Sequence, residues 1–343
     1  MKALARGRER LTRDRRNRKL KDLAHSLCFI GPSVLGVLIF FVLPFCVVVY
    51  YSVIKNSINP EFVFLDNFIA LFKNSAFRDA AKNTATFSAL AVPLATVLAL
   101  GLAMLLEARI PLKSQFRTFF LSPMMVPVAS VVLIWQVLFS NNGVINEFTA
   151  LFGMAKIDWI KSDYGQIVIL TLFLWKSLGY NMILFMSAIA NIPKELLEVA
   201  DVEGASEAYK FFAIKLRYLS PTVLFVMILS LISSFKVFRE VYLMTGGYPV
   251  SSLYMLQHFM NNTFQSLDFQ KMSAAAVVMA TAMVVIIAVL FCSRWRTGSE
   301  RTWRDEKKEI FLPRRYFRHL RRAGGRIPAA DAADHLKLLH DSV

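Results

Sequence analysis

Six apolar runs, each about long enough to cross a lipid bilayer as a helix, decide what this chain can fold into. A hydrocarbon core of about 30 Å takes roughly 20 apolar residues in helical form. Residues 28–54, 85–106, 119–139, 167–190, 222–238 and 273–293 meet that requirement. In lipid every backbone N–H and C=O must be satisfied within the protein, so each run has to be a helix or part of a closed barrel. None alternates apolar with polar residues as a barrel strand would. The expected fold is therefore an all-α membrane protein with six transmembrane helices. A composition of 56% hydrophobic residues over 343 positions agrees with that class. The first run follows a basic segment, as a signal peptide does. It is too long for a signal h-region and contains Pro32 and Pro44, so a retained anchor is expected.

The positive charge is uneven. The net charge is +16, concentrated before the first run and after the last. With six spans both termini lie on one side, and that side collects about thirty Lys and Arg against about eight on the other. Both termini and the polar segment 191–221 are thus expected in the cytoplasm. The division expected is a basic arm over 1–25, a six-helix domain over 26–295, and a basic, partly disordered tail over 296–343. The basic ends lack interleaved aromatic residues and abut apolar spans, so a nucleic-acid partner is not expected. The three cysteines, Cys28, Cys46 and Cys292, lie at membrane depth without metal or redox spacing, and read as buried small hydrophobes.

Chemistry that an enzyme would need is missing. There is no G-x-x-x-x-G-K-[ST] loop to cradle phosphates, no H-E-x-x-H and no G-x-S-x-G, and the five histidines are scattered. Neither a nucleotidase nor an intramembrane protease fits. The chain is expected not to be an enzyme, and to bind no cofactor or metal of its own.

Segment 191–221 carries the functional information. Pro193 suits a first helical turn and Glu195 complements the helix dipole there. Leu196, Val199 and Ala200 recur at helical spacing, and Gly204 then permits a sharp turn. Ser206, followed by Glu207, can cap a second helix with Ala205, Tyr209, Phe212 and Leu216 on one face. The product is an elbow of two helices beneath the membrane. An interfacial connector is the plain alternative. Five acids, Glu195, Glu198, Asp201, Glu203 and Glu207, argue against it, because an anionic lipid leaflet repels them while an Arg-bearing protein can pair with them.

The same segment resembles the EAA loop of binding-protein-dependent ABC transporter permeases. Glu198-Val199-Ala200, Gly204, Ile214 and Leu216 fall in that loop's register, while Val199 replaces an Ala and Arg217 stands where Pro is usual. Pro221 is the remaining start signal for the fifth span. Leu65-Asp66-Asn67-Phe68, Asn83-Thr84, Phe116-Arg117-Thr118, Asn142 to Asn146, Trp175 to Asn181 and Thr245-Gly246-Gly247-Tyr248-Pro249 are similar to the carbohydrate permeases of the maltose or glycerol-phosphate type. The resemblance covers roughly residues 25–295 and implies an ABC type I importer permease fold in a bacterial inner (plasma) membrane. It implies partners too: a second homologous permease, two copies of an ABC ATPase that uses ATP and Mg, a solute-binding protein, a small carbohydrate substrate and membrane lipid. Docking of the ATPase would fall to Glu195, Glu198, Ala200 and Gly204. Two other classes compete: a stand-alone ion-coupled transporter, which needs repeats or acidic relay residues within spans, and a scaffold or insertase, which leaves the elbow unexplained.

Polar residues inside spans are costly and usually face a cavity or a partner. Lys176, with Tyr180 and Asn181 one turn on, either snorkels or lines such a cavity. Lys236 either snorkels outward with Glu240 as its i+4 partner or joins the pathway residues. Sugars are held by hydrogen bonds and aromatic faces, which adds Phe235 and Tyr242 to the pathway residues. Trp135, Trp159 and Trp295 read as interfacial anchors. Pro123 and Pro127 should kink the third span.

Overall fold

A computed structural model describes residues 28–56, 58–107 and 112–292. The basic arm, the tail, Arg109 and Trp295 lie outside the described residues. Those residues are almost wholly helical, with a single isolated bridge between Ile54 and Phe62. Long apolar helices are α1 (Cys28–Ser52), α3 (Ser75–Glu107), α7 (Gly165–Ala190), α9 (Glu207–Thr245) and α11 (Phe269–Cys292). Shorter ones are α2 (Asp66–Lys73), α4 (Lys113–Met125), α5 (Val128–Leu138), α6 (Val144–Ala150), α8 (Lys194–Val202) and α10 (Leu256–Gln265). Residues up to Val284 form one compact unit, and a second begins at Val285 with the end of α11.

The third expected span is broken rather than kinked. α4 and α5 meet at 100°, so the pair counts as one span only if its bend is allowed. Pro127 causes the break. It forces Val126 out of the helical region (φ −84°, ψ 132°) and cannot donate to the preceding turn. Pro123 is held inside α4 without ending it.

α3 and α7 form the centre. Ala91, Ala95, Ala99 and Ala103 recur every fourth residue and are fully buried, a small-residue stripe that lets backbones approach closely. Gly179 does the same for α4: a Cβ there would sit 1.9 Å from the Phe120 carbonyl oxygen. Around this seam one cluster includes Phe87, Trp135, Leu172, Phe173 and Val241, and another, nearer the elbow, includes Met182, Phe185, Leu219 and Val226. α1 buries none of its apolar window within the chain. Cys28, Cys46 and Cys292 are exposed on helix surfaces, not buried as expected, because the helices carrying them cover little of themselves with this chain.

The segments opposite the elbow are pinned by side-chain amides. Asn146, fully buried, donates to the carbonyls of Ser140 (3.0 Å), Asn141 (3.0 Å) and Ile157 (2.7 Å), and accepts from the Trp159 indole (3.0 Å). Asn83 donates to Ser251 and Tyr254, Asn67 to Ser52 and Ile54, and Asn262 to Gly247, whose neighbour Gly246 has φ +81°. These amides satisfy loop carbonyls that would otherwise lack partners. The tryptophans correct the anchor reading: Trp135 is in the core and Trp159 is tied to Asn146.

His258 caps α10 from within the same region. Its Nδ1 accepts the Met255 N–H (3.2 Å), while Nε2 is buried without a partner. Burial lowers its pKa from 6.5 to about 4. Between those values the unfolded chain binds a proton that the folded chain refuses, so stability is present above pH 6.5 and is lost as pH falls toward 4. The loss should approach 2–3 kcal/mol, roughly, with the histidine fully protonated in the unfolded state. Thermal melts at pH 7 and pH 4.5 should diverge less in a His258→Gln variant than in the parent.

Candidate functional site

Two places concentrate polar side chains in this apolar frame. The first is the elbow. α8 starts after Pro193 and ends in a Schellman turn: Gly204 N–H donates to Asp201 (3.0 Å) and Ala205 N–H to Ala200 (2.9 Å), with Gly204 at φ +76°. Ser206 then caps the next helix, its hydroxyl accepting the Tyr209 N–H at 3.2 Å. Lys210 is buried where the arms meet. Its ammonium reaches Asp201 of α8 (2.5 Å) and also pairs with Glu207 of α9, so one cation braces both arms. Lys215 ties the elbow to Glu107 at the end of α3 (3.3 Å).

Along α8 the exposed surface is apolar in its middle and acidic at its flanks. Leu196, Val199 and Val202 are exposed, the last at 91%, and Glu195 and Glu198 are exposed beside them. Ala200 is buried and packs the elbow from inside rather than facing outward. Sequence reasoning placed Leu196 and Val199 on an apolar edge but did not count Leu196, Val199 or Val202 among the docking residues. Two expectations for the second arm need correction. Pro221 starts nothing, because the arm runs unbroken into the fifth span and Pro221 lies inside that helix. A π turn at Lys210–Lys215 also shifts the phase. Tyr209 and Phe212 stay exposed while Leu219 is fully buried, since one extra residue rotates the remainder of the helix by about 100°.

The second place is a cavity of about 320 Å3 between α4, α7 and α9. Lys176, Tyr180, Asn181 and Lys236 all line it, so four of the expected pathway residues converge. Phe235 and Tyr242 do not line it: Phe235 is half-buried on the preceding turn and Tyr242 is exposed beyond the break in α9. Lys176 lies about 17 Å of helix from Gly165 and about 21 Å from Ala190, which sets the cavity near mid-depth. Asn181 is buried and donates to the Ser230 hydroxyl at 3.0 Å.

The ion pair at the cavity differs from the expected one. Glu240 is bonded by Lys176 of α7, not by Lys236 of its own helix, and Arg239 lies 3.6 Å from the same carboxylate. The i+4 rule fails because a turn at Lys236–Val237 interrupts α9 between the two residues. Among the described residues no three His, Cys, Asp or Glu gather as a metal site would need.

The chain was compared with known proteins. Residues 91–294 match the family described as "Binding-protein-dependent transport system inner membrane component". The sn-glycerol-3-phosphate transport system permease protein UgpA of Escherichia coli O6:K15:H31 is 30% identical over 76% of this chain and 91% of its own length. The probable ABC transporter permease protein YesP of Bacillus subtilis (strain 168) is 30% identical over 84% of this chain and 95% of its own. In structure, the chain superposes with a TM-score of 0.71 on a chain of a bacterial ABC transporter that imports the acidic polysaccharide alginate. That match is at 20% identity and covers 81% of this chain and 99% of the other. The same transporter in complex with a pentasaccharide-bound periplasmic protein gives 0.69 at 20% identity, over 80% and 94%. The fold is thus that of an ABC importer permease, and the chain belongs to the family of binding-protein-dependent transport inner membrane components.

Proposed function

We propose that this chain forms half of the translocation pathway of an ATP-driven importer for a sugar, oligosaccharide or related polyol ester, and is driven through its elbow by a separate ATPase. It is a transport permease of the bacterial inner membrane, not an enzyme. The observation that carries the coupling role is the face of α8. Among the described residues Leu196, Val199 and Val202 are exposed and are flanked by Glu195 and Glu198. Lipid would accept the apolar residues and repel the acids, whereas a protein cleft lined with apolar and basic groups accepts both.

The remaining assignments rest on the same reading. The elbow faces the cytoplasm, as the charge asymmetry requires. A second permease covers α1, whose apolar surface this chain leaves bare. A solute-binding protein delivers substrate at the opposite face, and the cavity around Tyr180 and Asn181 receives it. ATP and Mg belong to the ATPase, of which two copies serve the permease pair.

The test is isolation of the assembled complex from host membranes, with a cysteine at Val202 in place of valine. The expected result is co-purification of a second permease and an ATPase, and cross-linking of residue 202 to the ATPase alone. Transport by the isolated chain in liposomes, with no ATPase, would show the stand-alone transporter instead.

A further inference from the structure

The cavity between α4, α7 and α9 has an unbalanced charge. Three cations line it, Lys176, Lys236 and Arg239, against one carboxylate, Glu240. That leaves a formal excess of two positive charges around a space of about 320 Å3. The carboxylate is already committed. Lys176 bonds it across the helix interface, and Arg239 stands 3.6 Å away. Glu240 is buried, with a side chain only 8% exposed, so little of it is open to a third cation.

Lys236 is left over. Its side chain pairs with no carboxylate among the described residues, and it is exposed to the cavity it lines. A lysine within a span costs on the order of 2.5–3.5 kcal/mol on insertion scales, and such residues are usually matched by a partner or a ligand. The neutral lining is equally informative. Tyr180, Asn181, Ser177 and Ser233 offer hydroxyl and amide groups, which suit the hydroxyls of a polyol or a saccharide. Groups that suit a polyol, on α7 and α9, and a spare ammonium on α9 therefore line one cavity.

We propose that this cavity selects a negatively charged solute, a carboxylated saccharide or a phosphorylated polyol, with Lys236 as the contact for its anionic group. This rests on reading the cavity as half of the translocation pathway. It narrows the substrate from carbohydrate in general to one bearing a carboxylate or a phosphate. Lys176 is not the anion contact, because Glu240 holds it. It and Glu240 set the position of the wall that carries Lys236.

The experiment uses the assembled permease–ATPase complex in nanodiscs, without the solute-binding protein, so that any selectivity is the cavity's own. Two matched pairs of radiolabelled probes are compared: trigalacturonate with its neutral methyl ester, and glycerol 3-phosphate with glycerol. At least one anionic probe should be retained over its neutral partner, and the pair that shows this identifies the anion as carboxylate or phosphate. Lys236→Gln should weaken that probe about ten-fold, the loss expected for one charge-assisted hydrogen bond, while Lys236→Arg keeps most of it. Equal retention of charged and neutral partners overturns the proposal, as does no retention of either anion or no effect of Lys236→Gln. ATP-driven uptake of a neutral sugar by the same complex would overturn the anionic class and leave the importer reading intact. Absence of an ATPase from the complex would remove the importer reading itself.

Discussion

A Gly179→Ala variant should lose on the order of 3 kcal/mol or more of stability, at the upper end of overpacking penalties. The added methyl would meet the Phe120 carbonyl oxygen at 1.9 Å and its carbon at 2.5 Å. Both are backbone atoms of α4, so no side chain can turn aside, and α4 has to separate from α7. Met124, further along α4, lines the cavity, so the displacement should also alter binding there. Gly101 supplies the control: it lies in α3, and a methyl added there would find nothing within 4 Å. Gly101→Ala should be neutral or gain up to about 1 kcal/mol from helix propensity. Thermal unfolding of the two variants in detergent decides the matter, and equal midpoints would show that α4 does not pack on Gly179.

The second large effect is expected at the elbow. Gly204→Val places a β-branched residue at φ +76°, where L side chains are strained, although the space around it is open. The Schellman turn should reopen and α8 should swing off its bearing. ATP-driven uptake is expected to fall at least about ten-fold, because small misplacements of a coupling element carry penalties of that order. Insertion into the membrane should be normal, since no apolar helix is touched. Glu198→Lys separates charge from geometry: it leaves the turn intact, and should uncouple ATP hydrolysis from uptake by reversing one contact. Normal uptake in both variants would remove the coupling role from α8.

What the sequence made legible was whatever depends on local rules. The apolar runs, a bend near Pro127, the turn at Gly204 and the cap at Ser206 each stem from a residue's own backbone preference or from its hydropathy. The misreadings were long-range. Trp135 reads as an interfacial anchor by its position near the end of a run, and only the packing of α5 against the end of α9 and the cluster it shares with α7 put it in the core. Glu240 has a lysine at i−4, but its partner is Lys176, 64 residues away. The π turn at Lys210–Lys215 separates Tyr209 and Phe212, both exposed, from half-buried Leu216, which a regular helix would place on their face.

In the site, the elbow was recognisable but its exposed surface was not. Ala200 belongs to the pattern because it fits inside the elbow, while Leu196, Val199 and Val202 carry the outward face. Asn67, Asn83 and Asn146 show the same limit. Their place in shared motifs was visible, yet that they hold loop carbonyls emerges only in three dimensions.

The union of the second elbow arm with the fifth span has a mechanical meaning. From Lys210 to Lys236 the helix rises about 39 Å, a lever with one end at the braced elbow and the other at the cavity wall. Lys210 keeps the fulcrum stiff. A tilt of about 5° would then carry the far end through on the order of 3 Å, comparable with the reach of a hydrogen bond. Glu240 lies beyond the turn at Lys236–Val237, so the stroke acts on the cavity wall at Lys236 and not rigidly on the Glu240–Lys176 pair. With α8 docked on an ATPase as proposed, a push of modest amplitude at the elbow would reach the cavity wall as a shift of that size.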